Sequence, residues 1–189
     1  MTGTMRVGSG GSGTLDINAG SEVVSGGGSG VAYGGIIGQL NGNGTVNVSG
    51  AGARWDSAAA RQIAVGLGGT GTLNVSGGAA VRANLLIAGS KAGNRLENEP
   101  VGAGTINVSG TDSTLSGSII IGQDGPASMT VTDGARIIDG RVGSSAVGAD
   151  ADVLLDGPGT NWTININGSL RGTLNVGVGD QDGSFASFP

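Results

Sequence analysis

The sequence predicts an all-β fold: a right-handed parallel β-helix, or β-solenoid, of about six coils of roughly 28 residues each. Three observations lead there. Glycine supplies 42 of the 189 residues, about three times its usual share of roughly 7%. A motif of the type Gly-Thr-Leu-Asn-Val-Ser-Gly recurs along the chain. Within it apolar and polar residues alternate, which is the period of a strand with one buried face.

Composition removes the competing classes. There are only 4 prolines and no Gly-X-Y period, which excludes a collagen triple helix. Hydrophobic residues reach 37%, a content that Gly-rich disordered linkers lack. Glycine between short β-branched runs is what tight turns between short strands require. The chain has no cysteine and no histidine. Disulfides and thiolate metal sites are thereby excluded, and the commonest general base and metal ligand is missing. With a net charge of −5 and a pI of about 4.4, no basic stripe for nucleic acid is expected. No apolar run approaches the roughly 20 residues of a membrane helix, so this segment is not expected to insert into a membrane. Met1-Thr2-Gly3-Thr4 opens neither a basic nor an apolar signal region. Residues 1–189 therefore read as a single solenoid segment excised from a longer protein.

The motif can be followed element by element. Its clearest copies are Gly13-Thr14-Leu15-Asp16-Ile17-Asn18, Gly44-Thr45-Val46-Asn47-Val48-Ser49-Gly50, Gly71-Thr72-Leu73-Asn74-Val75-Ser76-Gly77 and Gly104-Thr105-Ile106-Asn107-Val108-Ser109-Gly110. Degenerate copies begin at Ala127 and Ala151, and a partial one at Gly183. A second segment follows each copy. Gly50-Ala51-Gly52-Ala53-Arg54-Trp55 matches Gly157-Pro158-Gly159-Thr160-Asn161-Trp162, and Val23, Val81, Leu115 and Ile137 take the Trp position in other units. The third segment is apolar-x-apolar-Gly, as in Met5-Arg6-Val7-Gly8, Ile63-Ala64-Val65-Gly66, Ile119-Ile120-Ile121-Gly122 and Leu174-Asn175-Val176-Gly177.

A single alternating strand cannot bury its apolar face alone, whereas stacked copies bury it against one another. Three short strands and three corners suit one three-faced coil; propeller blades need about 40 residues and leucine-rich repeats a different ladder. Recurrent glycine excludes helix. The expected inward rows are Leu15, Val46, Leu73, Ile106, Met129 and Val153, and beside them Ile17, Val48, Val75, Val108, Val131 and Leu155. Six coils at a spacing of about 4.8 Å give a rod roughly 30 Å long. The longest unit carries a corner insertion at 90–103 with the densest charge in the chain: Lys91, Arg95, Glu97 and Glu99. Polar insertions at corners are surface loops, so these four are the candidate partner-contact residues.

The run Gly-x-Gly-Thr-Leu-x-Val-Ser-Gly, then Gly-x-x-Trp, then Leu-x-Val-Gly resembles the passenger-domain repeats of bacterial type V secretion autotransporters and related surface β-helix proteins. The resemblance extends from about Gly3 to Phe188. It implies a right-handed β-helix, display at the bacterial cell surface or secretion, and a structural role in adhesion, aggregation or as a stalk. Expected partners are a surface protein or glycan of a host or neighbouring cell, together with self-association. The resemblance implies no catalytic residue, so the segment is not expected to be an enzyme. Two alternatives stand beside it. One is the scaffold of a glycan-active enzyme passenger, with catalytic loops elsewhere or in the 90–103 insertion. The other is a phage or extracellular-matrix solenoid.

Gly10-Gly11-Ser12-Gly13-Thr14-Leu15 places Leu15 where a calcium-binding nonapeptide requires Asp, and Leu73 repeats the departure, so no metal is expected. Glycosidases need two carboxylates facing one cleft. Asp133, Asp139, Asp150, Asp152 and Asp156 instead fall at or near turns, where Asp bonds its own backbone. The Trp55 and Trp162 position otherwise holds Leu, Val or Ile, which favours core packing over sugar stacking. The Asn-x-Ser/Thr sites at Asn47, Asn74 and Asn107 arise from the repeat and form an outward polar row; Asn161 and Asn167 complete the set. No catalytic, cofactor-binding or metal-binding residue is assigned.

Overall fold

The structure is a computed structural model and describes residues 3–26, 32–57, 61–91, 100–139, 145–148, 150–164 and 174–176. The described residues form strands and turns without helix. In chain order the strands are β1 (Met5–Ser9), β2 (Ser12–Ile17), β3 (Glu22–Ser25), β4 (Tyr33–Gln39), β5 (Asn43–Ser49) and β6 (Arg54–Ser57). There follow β7 (Gln62–Leu67), β8 (Thr70–Ser76), β9 (Ala80–Ser90), β10 (Ala103–Ser109), β11 (Thr114–Ile121) and β12 (Ala127–Thr132). The last are β13 (Arg136–Asp139), β14 (Ser145–Val147), β15 (Ala151–Asp156), β16 (Asn161–Ile164) and β17 (Leu174–Val176).

All the ladders between these strands are parallel, and they make two sheets. The Gly-Thr-Leu copies form a six-stranded sheet in the order β15-β12-β10-β8-β5-β2. Its register never slips. Leu15 pairs with Val46, Val46 with Leu73, Leu73 with Ile106, Ile106 with Met129 and Met129 with Val153. Two places along, Ile17, Val48, Val75, Val108, Val131 and Leu155 pair in the same sequence. Successive residues point to opposite faces, so both rows face inward. Val46, Leu73 and Ile106 are 0% exposed, and each buried aliphatic side chain is worth about 1.5–3 kcal/mol of transfer free energy. Leu155 departs from the expectation: it is 41% exposed. Its strand, β15, pairs only with β12 and ends this sheet among the described residues, so one flank lacks a stacked neighbour. The partial copy at Gly183 lies outside the described residues.

The second and third segments of each unit share one eleven-stranded sheet, where three separate faces were expected. In β9 and β11 they run on as single strands of 11 and 8 residues. The joint is a register shift between Ser116 and Ser118, at Gly117 with φ +138°. A bulge of this kind bends a strand without breaking its sheet. The Trp position forms its own ladder: Val23 pairs with Trp55, Trp55 with Val81, Val81 with Leu115, Leu115 with Ile137 and Ile137 with Trp162. Trp55 is 0% exposed and belongs to the main apolar core.

Corners follow the glycine that closes each third segment. At Gly66 φ is +77°, and a Cβ there would collide with the backbone carbonyl of Ala103 in the next pass. Glycine is thus required twice over, by backbone conformation and by close approach.

Candidate functional surfaces

Two surfaces carry chemistry beyond packing. The first is the outward side of the six-stranded sheet. Strands β5, β8 and β10 present Thr45, Asn47 and Ser49, then Thr72, Asn74 and Ser76, then Thr105, Asn107 and Ser109, each paired with its equivalent. Beside them β2 contributes Thr14 and Asp16, and β12 contributes Ser128, Thr130 and Thr132. The amides form a directional ladder. Asn107 Nδ2 donates to Asn74 Oδ1 at 2.8 Å, Asn74 Nδ2 to Asn47 Oδ1 at 2.8 Å, and Asn47 Nδ2 to Asp16 Oδ1 at 2.7 Å. The alternation of the repeat placed this polar row outside; the uniform direction of the amides comes from the structure.

The second surface lies on the outer side of the eleven-stranded sheet, at the neck of the 90–103 insertion. Lys91, one of the candidate contact residues, sits here and forms an antiparallel bridge with Val101. Arg95, Glu97 and Glu99 lie outside the described residues. Ser90 belongs to β9 and Ala103 to β10, so the first and last residues of the expected insertion are strand residues. Asp124 clamps this neck: its Oδ2 accepts from Ser90 Oγ at 3.1 Å and from the Lys91 backbone N–H at 3.2 Å.

Around the neck the outer face is apolar. Ile36, Ala64 and Leu67 form a separate buried cluster with Tyr33 packed against it. Burial holds the Tyr33 phenol above its ordinary pKa of 10.0, and the negative charge of Asp124 adds to the shift. Sequence reading missed Tyr33, Asp124 and this cluster. A signal was present: the middle position of apolar-x-apolar-Gly is itself apolar at Ile36, Ala64, Ile87 and Ile120, where an outward residue should be polar.

The remaining candidates are dispersed. Trp55 Nε1 donates to Ser25 Oγ at 3.0 Å inside the core, which leaves no indole face for a sugar. Asp133 lies in a turn with φ +55°, and Asp150, Asp152 and Asp156 are exposed; the Asp156 carboxylate accepts from the Gly157 N–H. Among the described residues no group of three or more acidic, His or Cys side chains is placed to hold a metal. Glu22, Arg54 and Asp56 form a surface ion cluster, with Arg54 Nη2 at 2.6 Å from Asp56 and Nε at 3.7 Å from Glu22. At such exposure it contributes little stability. No family model, no curated protein and no solved structure matches the chain.

Proposed function

We propose that this chain is a stretch of right-handed parallel β-solenoid of about six coils that acts as a structural and adhesive segment, displayed at a bacterial surface in the manner of an autotransporter passenger. One observation carries the reading: each copy of the motif lies in register on the next, rank for rank, from β2 to β15. A chain that crosses two sheets and returns one place along extends as a rod, and parallel crossovers of this kind are right-handed in about 98% of cases. The side surfaces of such a rod, rather than a cleft, are what it offers to a partner. Adhesion and the bacterial surface enter through the resemblance of the repeats. The partner is a protein or glycan on a host or neighbouring cell, or a second copy of the chain.

Surface display tests the reading. The chain is fused between an export signal and an outer-membrane barrel, and cells carrying it are compared with cells carrying the barrel alone. Faster settling, or increased retention on a host-cell layer, is the expected result. Equal settling and equal retention, with the chain demonstrably exported, would overturn the adhesive role.

A further inference from the structure

The outward side of the six-stranded sheet has features that a stalk does not require. Three neighbouring strands carry the same outward Thr-x-Asn-x-Ser, and the flanking strands add Thr14 on one side and Ser128, Thr130 and Thr132 on the other. No bulge interrupts these ladders, so equivalent hydroxyls and amides repeat at the strand spacing of about 4.8 Å in one direction and two residues, about 6.6 Å, in the other. The asparagines are held in place by the 2.7–2.8 Å ladder. An amide can make about four hydrogen bonds. Each ladder bond uses one donor on one amide and one acceptor on the next, so Asn47 and Asn74 keep a donor and an acceptor lone pair for the solvent side.

Charge and composition select the occupant. The chain has a net charge of −5, and on this face the charges stand at the two edges, Asp16 on β2 and Asp152 and Asp156 on β15; the outward positions of β5, β8, β10 and β12 between them carry no charged residue. A mineral surface or a polyanion needs charge to bind. A glycan chain is usually gripped by aromatic faces, and this face has none; both tryptophans lie on the other sheet. What fits the uncharged centre of the face, between β5 and β12, is a rigid, neutral lattice of hydrogen-bonding groups with a repeat close to the strand spacing. Threonine suits such a lattice because its methyl group orders water next to a hydroxyl that can join it. We infer that this Thr/Asn face binds ice.

The test observes single ice crystals in a solution of the purified chain under slow cooling. The expected result is faceted crystals and a gap between melting and growth temperatures that widens with protein concentration. Thr72→Lys, at the centre of the face, is expected to lose most of that gap while keeping its circular dichroism and unfolding midpoint. Thr105→Lys serves in its place should Thr72→Lys fail to fold. Ser116→Lys, on the other sheet, is expected to keep the gap. Round crystals and no gap with the folded wild-type chain overturn the inference, as does a folded Thr72→Lys or Thr105→Lys that keeps the full gap. Retention on crystalline cellulose, or dimerisation abolished by the same variants, without any effect on ice would assign the face to those partners and equally overturn it.

Discussion

Gly35 leaves open the space that the indole of Trp55 fills. Gly35 stands in the row of Met5 and Ile63, where an apolar side chain would otherwise point inward. A Cβ at Gly35 would overlap the six-membered ring of Trp55. Its φ lies outside the left-handed region, so the requirement for glycine here is one of volume alone. Trp55→Ala is expected to destabilise the chain by about 3–5 kcal/mol, and Gly35→Ala by about 1–3 kcal/mol through overpacking. Combining Gly35→Ala with Trp55→Leu should recover part of the loss, a positive coupling that a double-mutant cycle in chemical unfolding would measure. Strict additivity would show that the two positions do not share the volume.

Ser25 and Ser57 are paired neighbours with different duties. Both are buried, at 0% and 3% exposure. Ser25 Oγ accepts from the Trp55 indole, whereas Ser57 Oγ has no hydrogen-bond partner among the described residues. Ser25→Ala strands a buried N–H and should destabilise by about 1–3 kcal/mol, while Ser57→Ala should be neutral or stabilising. Equal unfolding midpoints for the two variants would contradict this assignment.

Glycines with similar backbone angles should tolerate alanine unequally. Gly10 has φ +68° and nothing within 4 Å of a built Cβ, whereas Gly66 has φ +77° and the Ala103 backbone against it. Gly10→Ala should lose about 1–2 kcal/mol from conformation alone. Gly66→Ala adds a steric penalty of about 1–3 kcal/mol, because backbone cannot step aside as a side chain can. Thermal unfolding of the two variants gives the comparison.

Asn74 occupies the middle of the amide ladder. Asn74→Ala removes the donor to Asn47 and the acceptor of Asn107. The row is half-buried, so water replaces part of what is lost, and a decrease of about 0.5–1.5 kcal/mol is expected. A larger loss would indicate that the ladder bonds reinforce one another.

Tyr33 is the single tyrosine of the chain, so alkaline absorbance titration reads it without interference. Its folded pKa is raised above 10.0. The folded state therefore holds the phenolic proton more tightly than the unfolded state does. That contribution is complete below about pH 10 and is lost as pH rises through the folded value. Tyr33→Phe should flatten the alkaline fall in stability, and Asp124→Asn should bring the titration midpoint part of the way back. A wild-type midpoint at the ordinary value would remove the basis for both expectations.

The strand ladders were legible because identity and spacing repeat together: Gly-Thr-Leu fixes which residues stack on which, and alternation fixes which face is wet. The Trp position was legible for the same reason, since Trp55, Leu115 and Trp162 stand at one distance from their motifs and Val23, Val81 and Ile137 in units one residue shorter. Relations between different ranks were not legible. Gly35 yields to a side chain from the following pass, and Tyr33 on β4 meets the field of Asp124 from beyond β11, three strands along the sheet; neither distance is encoded in a local pattern. The fusion of two segments in β9 and β11 depends on a bulge in which Ala83 and Asn84 of β9 oppose the single Gly117 of β11, a mismatch of one residue between two strands that no pattern within either strand announces.

The bridge between Lys91 and Val101 has a consequence for how such a chain can diversify. Because the two ends of the insertion meet at the neck, whatever peptide joins them begins and finishes at one point on the molecule. The spacing of β10 on β8 is set by residues outside the insertion, with Ala103 N–H bonded to Gly69 O at 2.9 Å and the two strands in register from Ala103 and Thr70 onward. Sequence length and molecular length are decoupled at this corner. A foreign epitope spliced between Lys91 and Val101 would hang from this one point like a flag from its halyard, leaving the ladders on either side of it in step.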